Sequence, residues 1–498
     1  MKVLVTGGTG VVGQAAVTEL ARRGNDVRLL SRNADEDAGQ WKQGVEAWPA
    51  SVGDAESVRG SAEGCDVVLH AAGIVSESPP ESTFSSVNIQ GTVNMLREAE
   101  RAGVGLFIYV SSLGADSGES DYHKSKHAAE ERVRNFGGNW IVLRPGNVYG
   151  PGDEVVSLLL KMFRTLPAIP VINGGDDKFQ PLWVDDLAMA IAATVERTDL
   201  NGRTLDLAGT EQTSTNDLIE RFTRITGRDP VRVPIPGFLA AGGTAVADLI
   251  GLPLPVNAGQ ITMLREGNVI RDDGENALVT VFGITPTPLE DGLKKLADAQ
   301  PEQLPEEGVG SLKRKRIWAD ISGAHLSAEE LFERFRRDFN EATPGTVEAE
   351  AEPGTRCDLD QGATLTMSLP FRGNIQVRVQ EVTANRATLV TLAGHPLAGC
   401  VRFLSETRGD HLRFEVQVYD RPANLANWFV MKTVGAAMQK RTWEGLVERM
   451  VSECGGAAAE GVQQEEETLD EAQAELIEEW LKDLVRERKR EEFAGADG

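Results

Sequence analysis

The stretch that most constrains this chain is Thr6-Gly7-Gly8-Thr9-Gly10-Val11-Val12-Gly13. Lys2-Val3-Leu4-Val5 before it is a β-branched and aliphatic run that reads as a buried strand. Gln14 to Arg23 after it carries Ala15, Ala16, Leu20 and Ala21 on a helical apolar face. Strand, glycine turn and helix, in that order, form the first half of a dinucleotide-binding βαβ unit. Gly7 lets the chain turn tightly, and Gly10 leaves no Cβ between the backbone and a pyrophosphate. Gly13 brings the helix close to the strand. Thr9, Val11 and Val12 complete the loop, whose N–H groups and helix dipole attract an anion.

Composition narrows the classes of partner. A chain of 498 residues predicts two to four domains with ample core. Its net charge of −25 argues against nucleic acid, which needs a basic face, and reads as solubility or a salt-rich habitat. Cys65, Cys357, Cys400 and Cys454 are scattered, without metal spacing or close pairing, which suits a reducing cytoplasm and predicts no metal site. The first strand begins at the N-terminus, so no signal peptide is expected. Gly237 to Pro255 is the most apolar later stretch, but Asp248 and its glycines and prolines make it a poor membrane span. A cytoplasmic protein is expected, as a monomer or an oligomer.

The second strand, Asp26 to Leu30, leads into Ser31-Arg32-Asn33. An acidic residue there would bond a ribose 2′-OH, whereas Arg32 suits the 2′-phosphate of NADP, so NADP is preferred over NAD. Asp54, after the strand-like Val45 to Pro49, either receives the adenine amino group or caps a turn. Asp66 to Leu69 runs into His70-Ala71-Ala72-Gly73, small enough for backbone to lie against the dinucleotide. Asn88, in the helical stretch Val87 to Arg101, bridges this wall to the next strand. Leu106 to Val110 is the fifth strand and delivers Ser111-Ser112 to the edge where ligands sit in open α/β sheets. Tyr122-His123-Lys124-Ser125-Lys126 then opens a helix running to Asn135. Tyr122 and Lys126 lie on one helical face, where an ammonium can lower the tyrosine pKa and prepare it for acid–base work. Ser112 would hydrogen-bond the substrate oxygen during hydride transfer.

These motifs, with Arg144-Pro145-Gly146-Asn147-Val148-Tyr149-Gly150-Pro151-Gly152, resemble the extended short-chain dehydrogenases/reductases, the NAD-dependent epimerase/dehydratase superfamily. The resemblance implies that Tyr122 is the acid/base, that Lys126 holds the nicotinamide ribose and tunes Tyr122, and that Ser112 orients the substrate. Pro145 and Val148 would flank the nicotinamide. It implies an oxidoreductase acting on a carbonyl or hydroxyl carbon of a small molecule. The short serine-to-tyrosine interval and Arg32 are more similar to the atypical branch that includes the nucleotide-binding accessory subunit of respiratory complex I. Some members of that branch bind a dinucleotide without turnover. A non-catalytic NADP(H)-binding assembly protein and a sugar-nucleotide epimerase/dehydratase therefore stand as alternatives.

Past Gly152 the resemblance continues in Phe179 to Ala188, where Asp185 and Asp186 are expected to cap the helix Leu187 to Glu196, and Ser214 to cap Asn216 to Thr226. The apolar run Phe238 to Leu254 reads as a greasy substrate wall or as helix packing. Gln300 to Gly308 is rich in Pro, Glu and Gly and reads as a linker. Beyond it come a strand at Ile317 to Ile321, a capping box at Ser327-Ala328-Glu329-Glu330 and a helix to Phe339. Thr364 to Leu369, Ile375 to Val379, Ala387 to Leu392 and Leu412 to Val418 alternate with period two, which predicts an antiparallel sheet. A long helix, Ala426 to Val451, would close the domain.

This order resembles the helix-grip, or START-like, fold, which curls around its last helix and often leaves an apolar pocket. Ala393 to Gly399 and Tyr419-Asp420-Arg421-Pro422 are similar to uncharacterised bacterial domains of that class. His395 reads as a turn histidine or a catalytic one. Trp428, Phe429, Met431 and Met438 read as core. Glu465 to Phe493 is charged and helix-prone, with apolar residues at helical spacing that should dock on something. The expected architecture is α/β: a Rossmann doubly wound parallel sheet with a small α/β substrate lobe, then an α+β helix-grip domain and a C-terminal helix. The expected divisions are 1–299, a linker at 300–310, a START-like domain at 311–454 with a possible apolar ligand, and an acidic helical tail at 455–498.

Overall fold

The computed structural model describes the chain except residues 42–43, 154, 166–167, 237–267, 272–273, 340–347, 351–358, 370–372, 424–435 and 497–498. The expectations for the apolar run 238–254, for Cys357 and for Trp428, Phe429 and Met431 fall outside the described residues. Among those described, no helix is long and apolar enough to cross a membrane. The chain divides into two compact units. One holds Met1–Leu158, Pro170–Arg221 and Arg232–Leu296, and the other holds Leu159–Ile169, Phe222–Val231 and Ala297–Gly498. Two short segments inside the region expected as one domain thus cluster with the C-terminal unit.

The first unit is built on strands β1 (Lys2–Thr6), β2 (Asp26–Ser31), β3 (Val45–Pro49), β4 (Val67–His70), β5 (Leu106–Val110), β6 (Asn139–Pro145) and β10 (Arg203–Leu207). They pair in parallel in the order β10-β6-β5-β4-β1-β2-β3. Alternate side chains of these short runs enter opposite cores, so the central strands β1, β4 and β5 are apolar and buried on both faces. Val3, Val5, Val67 and Leu69 pack with Ala16, Val17 and Leu20 of the helix Val11–Arg22. Leu4, Val68 and Phe107 pack on the other face with Met95, Ala99, Ala129 and Val133. Strand order reverses between β1 and β4, which opens a crevice at their carboxyl ends.

Smaller strands β7 (Val148–Tyr149) and β9 (Leu182–Trp183) pair in parallel beside this sheet, and β8 (Ala168–Ile172) pairs with β11 (Val231–Ile235). The helix after β9 runs from Val184 to Thr194, earlier than expected, and no side chain caps it. Asp185 accepts instead from Trp183 Nε1 (2.9 Å), and Asp186 accepts from the Thr287 N–H (2.7 Å) and hydroxyl (3.0 Å). Their acidity still suits the first helical turn, but Asp185 binds the side chain of the neighbouring Trp183 and Asp186 fastens the distant Thr287, and neither caps a helix N–H. Ser214 does cap its helix, accepting from the Asp217 N–H at 3.2 Å.

Among the described residues, the C-terminal unit forms an antiparallel sheet of eight strands: β12 (Lys313–Ile321), β13 (Glu348–Glu350), β14 (Thr364–Leu369), β15 (Gly373–Val382), β16 (Arg386–Thr391), β17 (Leu397–Arg408), β18 (His411–Pro422) and β19 (Gln463–Thr468). Its order is β13-β14-β15-β16-β17-β18-β12-β19. One face packs on the helices Ala328–Arg337 and Ala436–Glu453 through Phe332, Phe335, Phe403, Phe414, Leu446 and Met450. The capping box forms as expected, with Ser327 and Glu330 exchanging both bonds (3.2 and 2.8 Å).

Three differences from expectation stand out here. The long β17 was not anticipated. Leu397 to Val401 are all buried, because the other sheet face is covered too, so the alternation that betrays a strand is missing. Gln463–Thr468, at the start of the helix-prone tail, is the edge strand β19 paired to β12, and the helix begins only at Glu471. The run expected as a linker is strapped to the sheet. Gln303 N donates to Thr391 O (2.6 Å), Gln303 Nε2 to His395 O (3.1 Å), and Val309 N to Pro422 O (2.7 Å). His395 is a turn residue, its Nδ1 meeting both the Leu397 carbonyl (2.8 Å) and the Leu397 N–H (3.0 Å).

Candidate active site

The glycine loop has the geometry that its spacing implied. Gly7 has a φ of 71°, and a Cβ on it would sit 2.6 Å from Ala72 N. A Cβ on Gly13 would come within 2.1 Å of the Gly7 carbonyl, so the helix can approach only as glycine. Gly10 differs, since a Cβ there would meet nothing closer than 3.5 Å. It precedes the helix Val11–Arg22 with extended backbone and lies exposed beside Thr9. The first-turn N–H groups of Val11, Val12 and Gly13 have no intrahelical acceptor, which leaves this helix end suited to an anion. The loop thus fits a dinucleotide pyrophosphate.

The opposite wall is Ala71-Ala72-Gly73, held by a buried chain of hydrogen bonds that the sequence reading did not assign. Thr92 Oγ1 donates to Asn88 O at 2.7 Å, which commits its only proton. His70 Nε2 must therefore donate to Thr92 Oγ1 (3.1 Å), and His70 Nδ1 accepts from Thr6 Oγ1 (2.7 Å). Thr6 Oγ1 in turn accepts from Ala72 N at 3.3 Å. Burial, helped by the nearby Lys126 charge, holds the His70 pKa down to about 3, so the ring is neutral, as the chain requires. Asn88 belongs to a π-helical turn, Phe84–Gln90, rather than to an ordinary helix. Its amide bonds Ile74 N (2.8 Å), Ile74 O (3.0 Å) and Ser125 Oγ (2.9 Å), which ties the wall to the Tyr122 helix.

That helix spans Asp121–Val133 and is capped by Ser120, which accepts from His123 N. Tyr122, Lys126 and Ser112 are all buried; the Ser112 hydroxyl donates to Leu113 O at 3.3 Å and neighbours the Tyr122 phenol. Ser111 is engaged elsewhere, donating to Glu130 Oε1 at 2.6 Å, so the hydroxyl facing Tyr122 is that of Ser112. Lys126 Nζ donates to Val110 O (2.9 Å) and lies 5.1 Å from the Tyr109 ring centroid. A Cβ on Gly73 would be 3.0 Å from Lys126 Nζ and 3.3 Å from Asn88 Oδ1, so the ammonium abuts the dinucleotide wall. Burial lowers the Lys126 pKa to about 8 against the pull of Glu130. Burial also raises the Tyr122 pKa, with only Ser112 acting the other way. The expected lowering by Lys126 is not seen, since Lys126 is not among the groups that shift the phenol.

The remaining candidates divide. Pro145 ends β6, its carbonyl accepting from Leu113 N at 2.8 Å, and Val148 follows in β7, half-buried. Arg32 is exposed at the end of β2, with no ion pair to any described residue. Asp54 is exposed, and its Oδ1 accepts from Glu56 N at 3.0 Å, which is the turn-capping alternative. Phe84 was not anticipated. Its ring meets Tyr122 edge-on at 6.2 Å.

A parallel sheet reversing beside a glycine loop, with serine, tyrosine and lysine gathered at its carboxyl edge, defines a nicotinamide-dinucleotide oxidoreductase. Residues 3–208 match the NAD dependent epimerase/dehydratase family. The chain is 30% identical over 244 residues to the ceramide reductase of Caulobacter vibrioides, covering 48% of this chain and 76% of that protein. The protein belongs to the NAD-dependent epimerase/dehydratase family. It is 28% identical over 291 residues to a mitochondrial NADH dehydrogenase [ubiquinone] 1 alpha subcomplex subunit 9 of Arabidopsis thaliana, covering 55% of this chain and 71% of the subunit. It is 27% identical over 212 residues to the 2-alkyl-3-oxoalkanoate reductase of Stenotrophomonas maltophilia, covering 38% and 64%.

Proposed function

We propose that the protein is an NADP(H)-dependent reductase of a carbonyl carbon on an apolar small molecule. The observation that carries this reading is the meeting of Ser112, Tyr122 and Lys126 against Gly73. The bound cofactor would supply hydride. Tyr122 is protonated at neutral pH, as a proton donor to a nascent alkoxide must be, and Ser112 holds the same oxygen. Lys126, cationic below about pH 8, would bind the ribose hydroxyls. Gly7, Thr9, Gly10, Val11, Val12 and Gly13 would cradle the pyrophosphate, and Pro145 and Val148 would flank the nicotinamide. Arg32, exposed and unpaired with any described residue, supports a 2′-phosphate contact. Relatives named as reductases of ceramide and of 2-alkyl-3-oxoalkanoate support an apolar substrate.

The test is a fluorescence titration of wild type and Arg32→Glu with NADPH and NADH, followed by a screen of long-chain carbonyl compounds for NADPH oxidation. Wild type should prefer NADPH by about tenfold or more, and the variant should lose that preference. Preference of wild type for NADH would overturn the Arg32 assignment, and binding of neither would sink the enzyme reading. A second reading, cofactor held without turnover, is supported by the similarity to the NADH dehydrogenase subunit. Stoichiometric NADPH oxidation by any carbonyl in the screen would exclude it. For the C-terminal unit we propose the START-like, apolar-ligand role, supported by the order strand, helix, antiparallel strands, helix. Solvent extraction and mass spectrometry finding no lipid bound to the purified chain would count against it.

A further inference from the structure

We propose that Glu130 is the positioning residue of this site: its buried carboxylate, one helical turn beyond Lys126, holds the segment that carries Ser112 against Tyr122. The proposal rests on reading Ser112 and Tyr122 as the reacting pair. Glu130 is fully buried and accepts four bonds. Ser111 Oγ (2.6 Å) and Arg144 Nε (2.8 Å) donate to Oε1, while Arg144 Nη2 and Arg134 Nη2 (both 2.7 Å) donate to Oε2. One carboxylate therefore joins the Tyr122 helix to the carboxyl end of β5 and to β6.

The same ion pair reaches the far side of Ser112. Arg144 Nη1, the nitrogen that Glu130 leaves over, donates to Asp116 Oδ2 at 2.9 Å. Ser112 thus lies between two anchors, Ser111 on Glu130 and Asp116 on Arg144. Between them the backbone runs along β6, with Ser111 N donating to Leu143 O (2.7 Å) and Leu113 N to Pro145 O (2.8 Å). Taking such a pair out of water yields little net stability compared with apolar packing. What it does supply is direction, since the bidentate fork admits one relative placement of helix, strand and serine segment. Ser111, the neighbour of Ser112 in the sequence, becomes the tether of the reacting hydroxyl's segment.

Removing Glu130 would strand two arginines and risk unfolding the chain, so the test cuts only the tether. Hydrogen exchange of the full-length protein is measured for wild type, Ser111→Ala and Ser111→Thr. Loss of a hydrogen bond to a carboxylate should speed exchange of the 113–118 turn amides by about tenfold or more in Ser111→Ala. The helix 121–133 and the glycine loop should keep wild-type rates, and Ser111→Thr should restore the turn. With any carbonyl that wild type reduces, kcat of Ser111→Ala should fall by about tenfold at unchanged KM for NADPH. Wild-type exchange across 113–118 in Ser111→Ala would overturn the proposal, as would an unchanged kcat. If wild type reduces no carbonyl, the functional reading fails by itself, and the exchange experiment still decides the role of Glu130.

Discussion

Glu130 in the nucleotide unit and Glu302 in the C-terminal unit are both carboxylates buried among guanidinium groups. Glu302 is met by Arg488 Nη2 (2.8 Å), Lys489 Nζ (3.0 Å), Arg378 Nη1 (3.2 Å) and Gln380 Nε2 (3.2 Å). Burial would raise its pKa, but Lys489, Arg378 and Arg488 together bring it down to about 2. The parts are alike and the attachments are not. Glu130 ties elements that carry Ser112, Tyr122 and Pro145, whereas Glu302 ties the strapped segment to β15 and to the terminal helix. A buried ion cluster therefore marks a functional site only when its partners adjoin groups able to react. Elsewhere it is a fastening.

That contrast can be broken experimentally. Tyr122→Phe should lower turnover by about a thousandfold while leaving NADPH affinity within about twofold, since only the moving proton is lost. Glu302→Gln should destabilise the C-terminal unit by about 3 kcal/mol in urea unfolding, because Arg378 and Arg488 stay buried without their counter-charge, yet leave NADPH binding intact. Loss of cofactor affinity in Glu302→Gln would show that the two clusters are not independent.

Acid should separate the two units. His70 takes a proton in the unfolded chain near pH 6.5 but in the fold only near pH 3. Between those values the unfolded state binds the extra proton, so stability falls as pH drops, by about 2 kcal/mol from pH 6.5 to 5. Glu302 has the carboxylate sign: its contribution is whole above its unfolded pKa of 4.5 and is lost as pH falls through about 2. Hydrogen exchange at pH 5 should therefore show β1 and β4 loosened while β15 keeps its protection. The smallest effect tests the C-terminal unit alone. Ser327→Ala should cost about 1 kcal/mol there, through the lost cap, with no change in the pH response of β1 and β4.

Much of the candidate site was legible because its signals are local. The glycine loop lies between a strand and a helix that are both evident, and Tyr122 and Lys126 share a helical face by spacing alone. The capping box at Ser327 and Glu330 was legible for the same reason. What escaped depends on contacts between distant positions. Nothing near Asp186 announces that Thr287, about a hundred residues on, takes its oxygens. The burial of β17 on both faces erased its alternation, and the Pro- and Glu-rich composition of 300–308 concealed that Gln303 completes hydrogen bonds of the sheet.

The sequence by itself determined the glycine loop between strand and helix, the shared helical face of Tyr122 and Lys126, and the antiparallel character of the C-terminal unit. Each follows from a residue type at a fixed short spacing, where backbone geometry leaves few choices. Tertiary structure alone decided that Ser111 is bound to Glu130, that burial raises the pKa of the phenol, and that His70 is neutral. Those outcomes depend on desolvation and on long-range partners such as Glu130 and Arg144. Burial and long-range pairing are set only when the chain has closed on itself.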